Sequence, residues 1–491
     1  MTDAFVKAVA QSKNLKGLEA KLKQNEDEIR ADYQARIQSA KTEFEKASRD
    51  IEKAIKARQA DLTKVEVEIE KKEAFWKSEF EGFVKAAKDQ ITEHRLSPYF
   101  DELTGVVATN GKTISPCVEG EIDYDARAQA IVRSVPKHRL TPAELRNHII
   151  TAFQARRGYT HDEVVNLCVS LANNFLTIFA GDPGIGKTTA CHVLGDVLGL
   201  SDLSSSLADS ALWDADAAKR FLQVPVERGW TSKRDFLGYF NPLTQKFSSP
   251  DKRRYEAFRL LDAEAALGKD KDKVLPFIFL LDEANLSSME YYWADFMGFC
   301  GNDDAAKREI VLGDNEVIAI PDHLRFLATI NVDDTTETLS PRLLDRAWII
   351  RLPEPKFDTV TRKGNENKAV LWSDFQAAFG CPQGKALTKV AELDPIYAEF
   401  KAAGVNVSMR SQRAIAKFVA AGESLFKGGR TTAVDYAIAQ KLLPMIRASG
   451  ALFHQRLEKL KGVCAQDPTT CAILDSIMTR GGNNLNFYQF F

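Results

Sequence analysis

The sequence has no proline before Pro98 and no glycine between Gly17 and Gly82. Turn-forming residues are therefore missing from a long N-terminal stretch, which excludes a compact loop-rich module there. Cysteine is sparse: seven residues, an odd number, scattered and without C-x-x-C spacing. This excludes a disulfide framework and a zinc knuckle. The seven histidines form no H-x-x-x-H pair, so a histidine-ligated metal is not expected. Neither sign of charge dominates, with 66 Lys and Arg against 68 Asp and Glu. No global field draws the chain to nucleic acid or to an anionic membrane. The greasiest run, "LPFIFLL" at 275–281, is far too short to span a bilayer. The opening "MTDAFVKAVAQSK" lacks an apolar core of signal-peptide length. A cytoplasmic protein of two or three domains, with no membrane partner, is expected.

Within residues 1–95, apolar or small side chains recur at three- and four-residue steps, from Leu15, Leu18 and Leu22 through Ile29, Ile37 and Phe44 to Leu62, Val65 and Ile69. Charges of both signs fill the gaps. The pattern predicts a long helical coiled coil, either a hairpin or an oligomerising stalk; a charged helix laid on the chain's own body is the alternative. Residues 96–140 carry the first turn signals and read as an irregular or β-containing connector. From Thr141, two segments each open with a threonine cap and an acidic first turn, "TPAELRNHIITAF" and "THDEVVNLCVSLANN". Five short apolar runs then alternate with helical stretches: "FLTIFAG", "FLQVPVE", "FIFLLDE", "LRFLATIN" and "AWIIRL". Such alternation predicts a parallel sheet between helices over 141–355. Residues 356–491 read as almost wholly helical.

"GDPGIGKTT" (Gly181, Asp182, Pro183, Gly184, Ile185, Gly186, Lys187, Thr188, Thr189) sits between a strand pattern and a helix pattern. It satisfies the phosphate-loop pattern in the setting that the pattern requires. Backbone N–H groups turned inward at a helix N-terminus bind phosphate oxygens. Lys187 should reach the β- and γ-phosphates and Thr188 should hold Mg2+. Asp282 and Glu283 end the strand "FIFLLDE", suiting a metal ligand and a polariser of the attacking water; a helix cap is the simpler reading of either alone. Asn331 ends "LRFLATIN" and could hold the same water, or make an Asx turn. The excursion "GWTSKRDFLGYFNPLT" interleaves Trp230, Phe236, Tyr239 and Phe240 with turn residues, as either a partner-binding surface or a satellite core.

The phosphate loop, strand-end "DE", strand-end Asn and "LDRA" before the last strand together resemble an AAA+ ATPase over roughly residues 141–450. The spacer at 225–247, "LLDEANLSSMEYYWADFM" and the "TIN" strand end resemble its McrB branch, the motors of modification-dependent restriction systems, related to MoxR and dynein modules. The resemblance implies an α/β P-loop NTPase fold with a five-stranded parallel sheet and a C-terminal α-helical lid. It implies a homo-oligomeric ring, expected to be hexameric, in which Arg346 of "LDR" completes a neighbour's site as an arginine finger. Arg342 would be a second finger or an interface ion-pair partner. Arg410 matches the lid's sensor arginine, which would touch nucleotide, with Arg413 the weaker candidate.

Two departures matter. McrB-type motors use GTP, but "VDDTTETLSP" follows Asn331 where they carry a different stretch, so ATP with Mg2+ is expected and GTP is the alternative. No DNA-reading module and no nuclease constellation is visible. The resemblance then implies a motor that works with a separate nuclease subunit in antiviral defence, with nucleic acid its target directly or through that partner. A MoxR-like protein-remodelling chaperone is the other reading.

Overall fold

The computed structural model describes residues 122–134, 139–201, 219–241, 246–301, 308–313, 316–331, 337–353, 369–382, 387–483 and 487–491, and a few shorter pieces. The coiled coil expected over 1–95 lies outside the described residues, except Gln34, Gln38, Lys41, Thr42 and Lys71, which are helical and exposed. Two compact units are present, Met1–Cys117 and Val118–Phe491. The first contains a small antiparallel hairpin of β1 (Val107–Thr109) and β2 (Lys112–Ile114).

The second unit opens with α1 (Tyr124–Arg133), within the stretch read as connector, which packs on a later helix of the same unit. It continues into α2 (Pro142–Arg157) and α3 (His161–Asn173). Thr141 and Thr160 each accept from the backbone N–H three residues on, and Glu144 and Glu163 reach back to the caps. Both threonine caps foreseen from the sequence are thus complete capping boxes. The alternation of elements then begins: β3 (Leu176–Gly181), α4 (Lys187–Val197) and β4 (Phe221–Pro225). The aromatic excursion holds α5 (Lys233–Phe236) and the hairpin β5 (Tyr239–Asn241) and β6 (Lys246–Ser248). α6 (Lys252–Ala265) leads to β7 (Phe277–Asp282), then to the short helices α7 (Met289–Tyr292) and α8 (Ala294–Met297). A second hairpin, β8 (Glu309–Gly313) and β9 (Glu316–Ala319), precedes β10 (Leu324–Asn331). α9 (Pro341–Leu344) and β11 (Trp348–Arg351) complete the α/β part.

The five apolar runs form one parallel sheet in the order β11-β3-β10-β7-β4. Helices cover both faces, so β3, β7 and β10 are buried along nearly their whole length and can be apolar at every position. Register brings the carboxyl ends level: Gly181 pairs with Asn331, Ala180 with Arg351 and Asp282 with Pro225. A knot of rings built from Phe236, Phe258, Phe279, Phe296, Phe326 and Trp293 fills one side of the sheet. The excursion's aromatics are therefore divided. Phe236 is core, Trp230 lies edge-on to Tyr292, and Tyr239 is exposed. At the sheet's amino end, fully buried Arg220 grips Glu264 bidentately (2.6 and 2.9 Å), and His323 approaches the same carboxylate at 2.6 Å. Burial alone would raise that carboxyl; the Arg220 and His323 charges hold it below its ordinary value.

Beyond β11 lie α10 (Trp372–Phe379), α11 (Asp394–Ala402), α12 (Met409–Gly422) and α13 (Gly429–Ala437), the last running into a π-helical turn, Ile438–Leu442. β12 (Arg447–Ser449), α14 (Ala451–Val463), α15 (Pro468–Asn483) and β13 (Phe487–Gln489) follow, with β12 and β13 paired. α10 packs on α2 and α3. The remaining helices meet β11 through Trp348, which stacks on Phe418 and donates its indole N–H to Gln440 Oε1 at 2.6 Å. Among the described residues no helix is long and apolar enough to cross a membrane.

Candidate nucleotide site and a basic cavity at the opposite end of the sheet

β3 ends at Gly181, and α4 starts at Lys187 with Gly186 as an N-cap that offers no side-chain acceptor. No side chain caps the first turn of α4, and the helix dipole there favours an anion. Gly186 has φ +78°, and a Cβ there would come within 2.8 Å of Arg157 Nη1, so this position needs glycine twice over. Asp182, Pro183, Gly184 and Thr189 are exposed around the loop's mouth, and Ile185 is half-buried. Lys187 is buried and folds over the loop, its Nζ donating to the carbonyls of Gly181 (2.8 Å) and Asp182 (2.9 Å). Arg157, the last residue of α2, supports the loop from below. It donates to the Ile185 and Gly186 carbonyls (3.2 and 3.3 Å) and to Tyr159 Oη (3.2 Å). Nothing local in the sequence distinguishes Arg157 from any basic residue in a helix's last turn.

The acidic pair sits two strands away, level with the loop. Asp282 Oδ1 accepts from Thr188 Oγ1 (2.8 Å) and Thr329 Oγ1 (2.6 Å); Oδ2 accepts from Gln223 Nε2 (2.7 Å). Gln223 Oε1 lies 3.0 Å from His192 Nε2, which fixes the amide with its NH2 toward the carboxylate. Glu283 is exposed and has φ +54°, the one non-glycine with positive φ among the described residues. That left-handed backbone costs about 1–2 kcal/mol. It is held where the Glu283 N–H donates to Thr329 Oγ1 at 2.9 Å. Asn331 is tied through its main chain: its N–H donates to Asn285 Oδ1 (3.2 Å) and its carbonyl accepts from Asn285 Nδ2 (2.8 Å). The structure thus brings together Lys187, Thr188, Asp282, Glu283 and Asn331. Thr329, Gln223, His192, Asn285 and Arg157 are additions that the sequence reading passed over.

For Mg2+, the test is the donor set. Thr188 and Asp282 offer a hydroxyl and a carboxylate in contact beside the phosphate loop, which are hard oxygen donors that suit this ion. Among the described residues there is no cluster of three or more His, Cys, Asp or Glu side chains that could hold a metal unaided. A partly open site completed by phosphate oxygens fits what is present.

The remaining predicted arginines are elsewhere. Arg346 lines a cavity of about 410 Å³ with Arg308, Arg325, Arg410, Arg413 and Lys417, and no phosphate-loop residue borders it. Asn174 and Arg325 in its wall stand at the amino ends of β3 and β10. Arg346 Nε donates to the Met297 carbonyl (3.0 Å) and Nη1 to that of Arg342 (2.9 Å). Burial, then the adjacent Arg410 charge, lowers the Arg346 guanidinium from its ordinary value. Arg342 is exposed. Arg410 pairs with Asp345 at 2.7 Å and so belongs to this cavity in its own chain. At the phosphate-loop end two other guanidiniums are found. Arg351 ends β11 over the Phe490 ring, and Arg480 of α15 donates to the Phe490 carbonyl (3.0 Å). Burial lowers both, and the Asp182 carboxylate opposes that shift.

The chain's C-terminal part, residues 376–486, matches a domain family of unknown function, DUF8727. No curated protein matches. Among solved structures, a crystal structure from Cytophaga hutchinsonii described as "a putative ATPase" is 14% identical, covering 66% of this chain and 96% of that one at a TM-score of 0.42.

Proposed function

We propose that the chain is a Mg2+-dependent nucleoside triphosphatase, with ATP as fuel, that works as a ring. One observation carries the reading. The Asp282 carboxylate, pinned by Thr188 and Thr329, stands beside a glycine-rich loop whose helix has no N-terminal acceptor of its own.

On binding, Lys187 would exchange the Gly181 and Asp182 carbonyls for phosphate oxygens, and the α4 N–H groups would hold the same anion. Thr188 and Asp282 would hold Mg2+ through their oxygens, and the ion would supply charge neutralisation at the phosphates. Glu283, projected into solvent by its left-handed backbone, is free to take a proton from the attacking water. Thr329 keeps that backbone and Asp282 at fixed separation, because its single oxygen bonds to both. Asn331 stands level with Gly181, where it can orient the same water.

Distance supports the ring. Arg346 and Arg351 bracket β11 and are five residues apart, about 16 Å along an extended strand. The cavity that Arg346 lines is at the amino ends of the strands, while the phosphate loop is at their carboxyl ends. A guanidinium placed there serves a phosphate brought by another copy. The McrB-like spacer further supports a motor role beside a separate nuclease subunit acting on nucleic acid. Stimulation of hydrolysis by a protein client and not by nucleic acid would favour the remodelling reading, and a preference for GTP would change the fuel alone.

Lys187→Ala should abolish nucleotide binding, and Glu283→Gln should bind without turning over, as read by equilibrium binding of a fluorescent nucleotide alongside phosphate release. Normal phosphate release from Glu283→Gln would remove the base assignment; full activity in Lys187→Ala would remove the site.

A further inference from the structure

The segment that carries Arg346 is fastened mainly to the C-terminal helices. Lys441, on the π-helical turn after α13, is 2% exposed, and its Nζ donates to three carbonyls in this segment: Leu344 (3.2 Å), Asp345 (2.9 Å) and Ala347 (2.7 Å). A buried ammonium is tolerated when every N–H finds an acceptor, and here three donors meet three carbonyls. From the other side α12 grips Asp345: its carboxylate accepts from Ser408, from Ser411 Oγ (3.0 Å) and from Arg410 Nη1 (2.7 Å). A π turn is uncommon and concentrates at functional places in helices. Here it places Lys441 beneath the segment while its neighbour Gln440 takes the Trp348 indole. None of these groups reaches the chain's own phosphate loop.

We propose that Lys441 and Asp345 are positioning residues for Arg346. They fasten the arginine to the C-terminal helices, so that a shift of those helices in one subunit delivers the guanidinium to the next subunit's phosphate or withdraws it. This rests on the ring reading above. Lys441 is not a catalytic group, since it touches only backbone carbonyls. Its effect is geometric, and a displacement of about 1 Å at a reacting centre costs on the order of a hundredfold in rate.

The experiment uses full-length Lys441→Met and Asp345→Asn, each alone and each mixed with the Lys187→Ala chain, which keeps its arginine but has lost its own site. Alone, each should bind nucleotide within about twofold of the parent and turn over about a hundredfold more slowly. In the mixture turnover should return, because an intact arginine from the Lys187→Ala neighbour then completes the variant's site. Arg346→Ala mixed in the same way is the control. If Arg346→Ala recovers but neither variant does, the positioning role is overturned and the ring stands. If Arg346→Ala does not recover either, the ring reading fails and this proposal falls with it. Near-parental turnover by either variant alone also overturns it. Should Lys441→Met fail to fold, Asp345→Asn decides the matter, since it removes the ion pair and leaves the shape.

Discussion

The two ends of the central sheet treat charge in opposite ways. At the carboxyl end the acid matters, and both oxygens of Asp282 are held by neutral donors, two hydroxyls and an amide. At the amino end the cavity around Arg346 gathers Arg308, Arg325, Arg410, Arg413, Lys417 and Lys441 against Asp322 and Asp345. The carboxyl end holds Lys187, Arg157, Arg351 and Arg480 around a phosphate loop, whereas the larger cationic cluster of the cavity borders no phosphate-loop residue. On the ring reading proposed above, a head-to-tail neighbour would bring the cavity's guanidinium to the phosphate-loop end.

The largest test of that comparison is Arg346→Ala. Nucleotide affinity should stay near the parent's while turnover drops by about three to five powers of ten, the range for a finger supplied from a neighbour. Unchanged turnover in dilute or concentrated protein would break the pairing of the two ends. A smaller effect is expected at the carboxyl end from Gln223→Leu, which frees Asp282 Oδ2 and leaves Thr188 and Thr329 in place. The Mg2+ needed for half-maximal nucleotide binding should rise about 10- to 100-fold, as with other supports of metal ligands. Metal-independent binding should not move; a loss there would mean that Gln223 serves the sheet and not the acid.

The smallest effect is one of pH. Burial, with Arg410 and Arg346 adding and the Asp345 carboxylate opposing, brings Lys441 down to about 8 from its ordinary 10.5. Above about pH 8 an amine with two N–H groups faces three carbonyls, so turnover should decline a few-fold while nucleotide affinity holds level. Stability runs the other way. Between about 8 and 10.5 the unfolded chain carries the extra proton, so unfolding free energy rises with pH over that window. Denaturant melts at pH 7.5 and 9.5 would separate the two trends, and a loss of both together would assign the decline to unfolding.

What could be read from the sequence was what acts through near neighbours. The five strands announce themselves because residues buried on both faces are mostly apolar, with few polar interruptions such as Arg325 and Gln223. Thr141 and Thr160 cap helices through partners three residues away. The loop, Lys187, Thr188 and the strand-end Asp282 and Glu283 stand in fixed local order. The supports were invisible for the converse reason. Arg157 reaches the phosphate loop from 28 residues upstream, Gln223 meets Asp282 across 59 residues, and Lys441 grasps carbonyls more than 90 residues before it. Arg410 was visible as a helix-start arginine, but its partner Asp345 was not, and that partner places it in the cavity.

Finally, β10 runs the full depth of the sheet. Arg325 near its start borders the basic cavity, and Asn331 at its tip lies beside the phosphate loop, six residues and about 20 Å away. Hydrogen-bonded to β3 on one flank and β7 on the other, it acts as a spacer bar of set length. The distance between the two ends is therefore set by the sheet, and a change in it would have to come from the helices packed at its side.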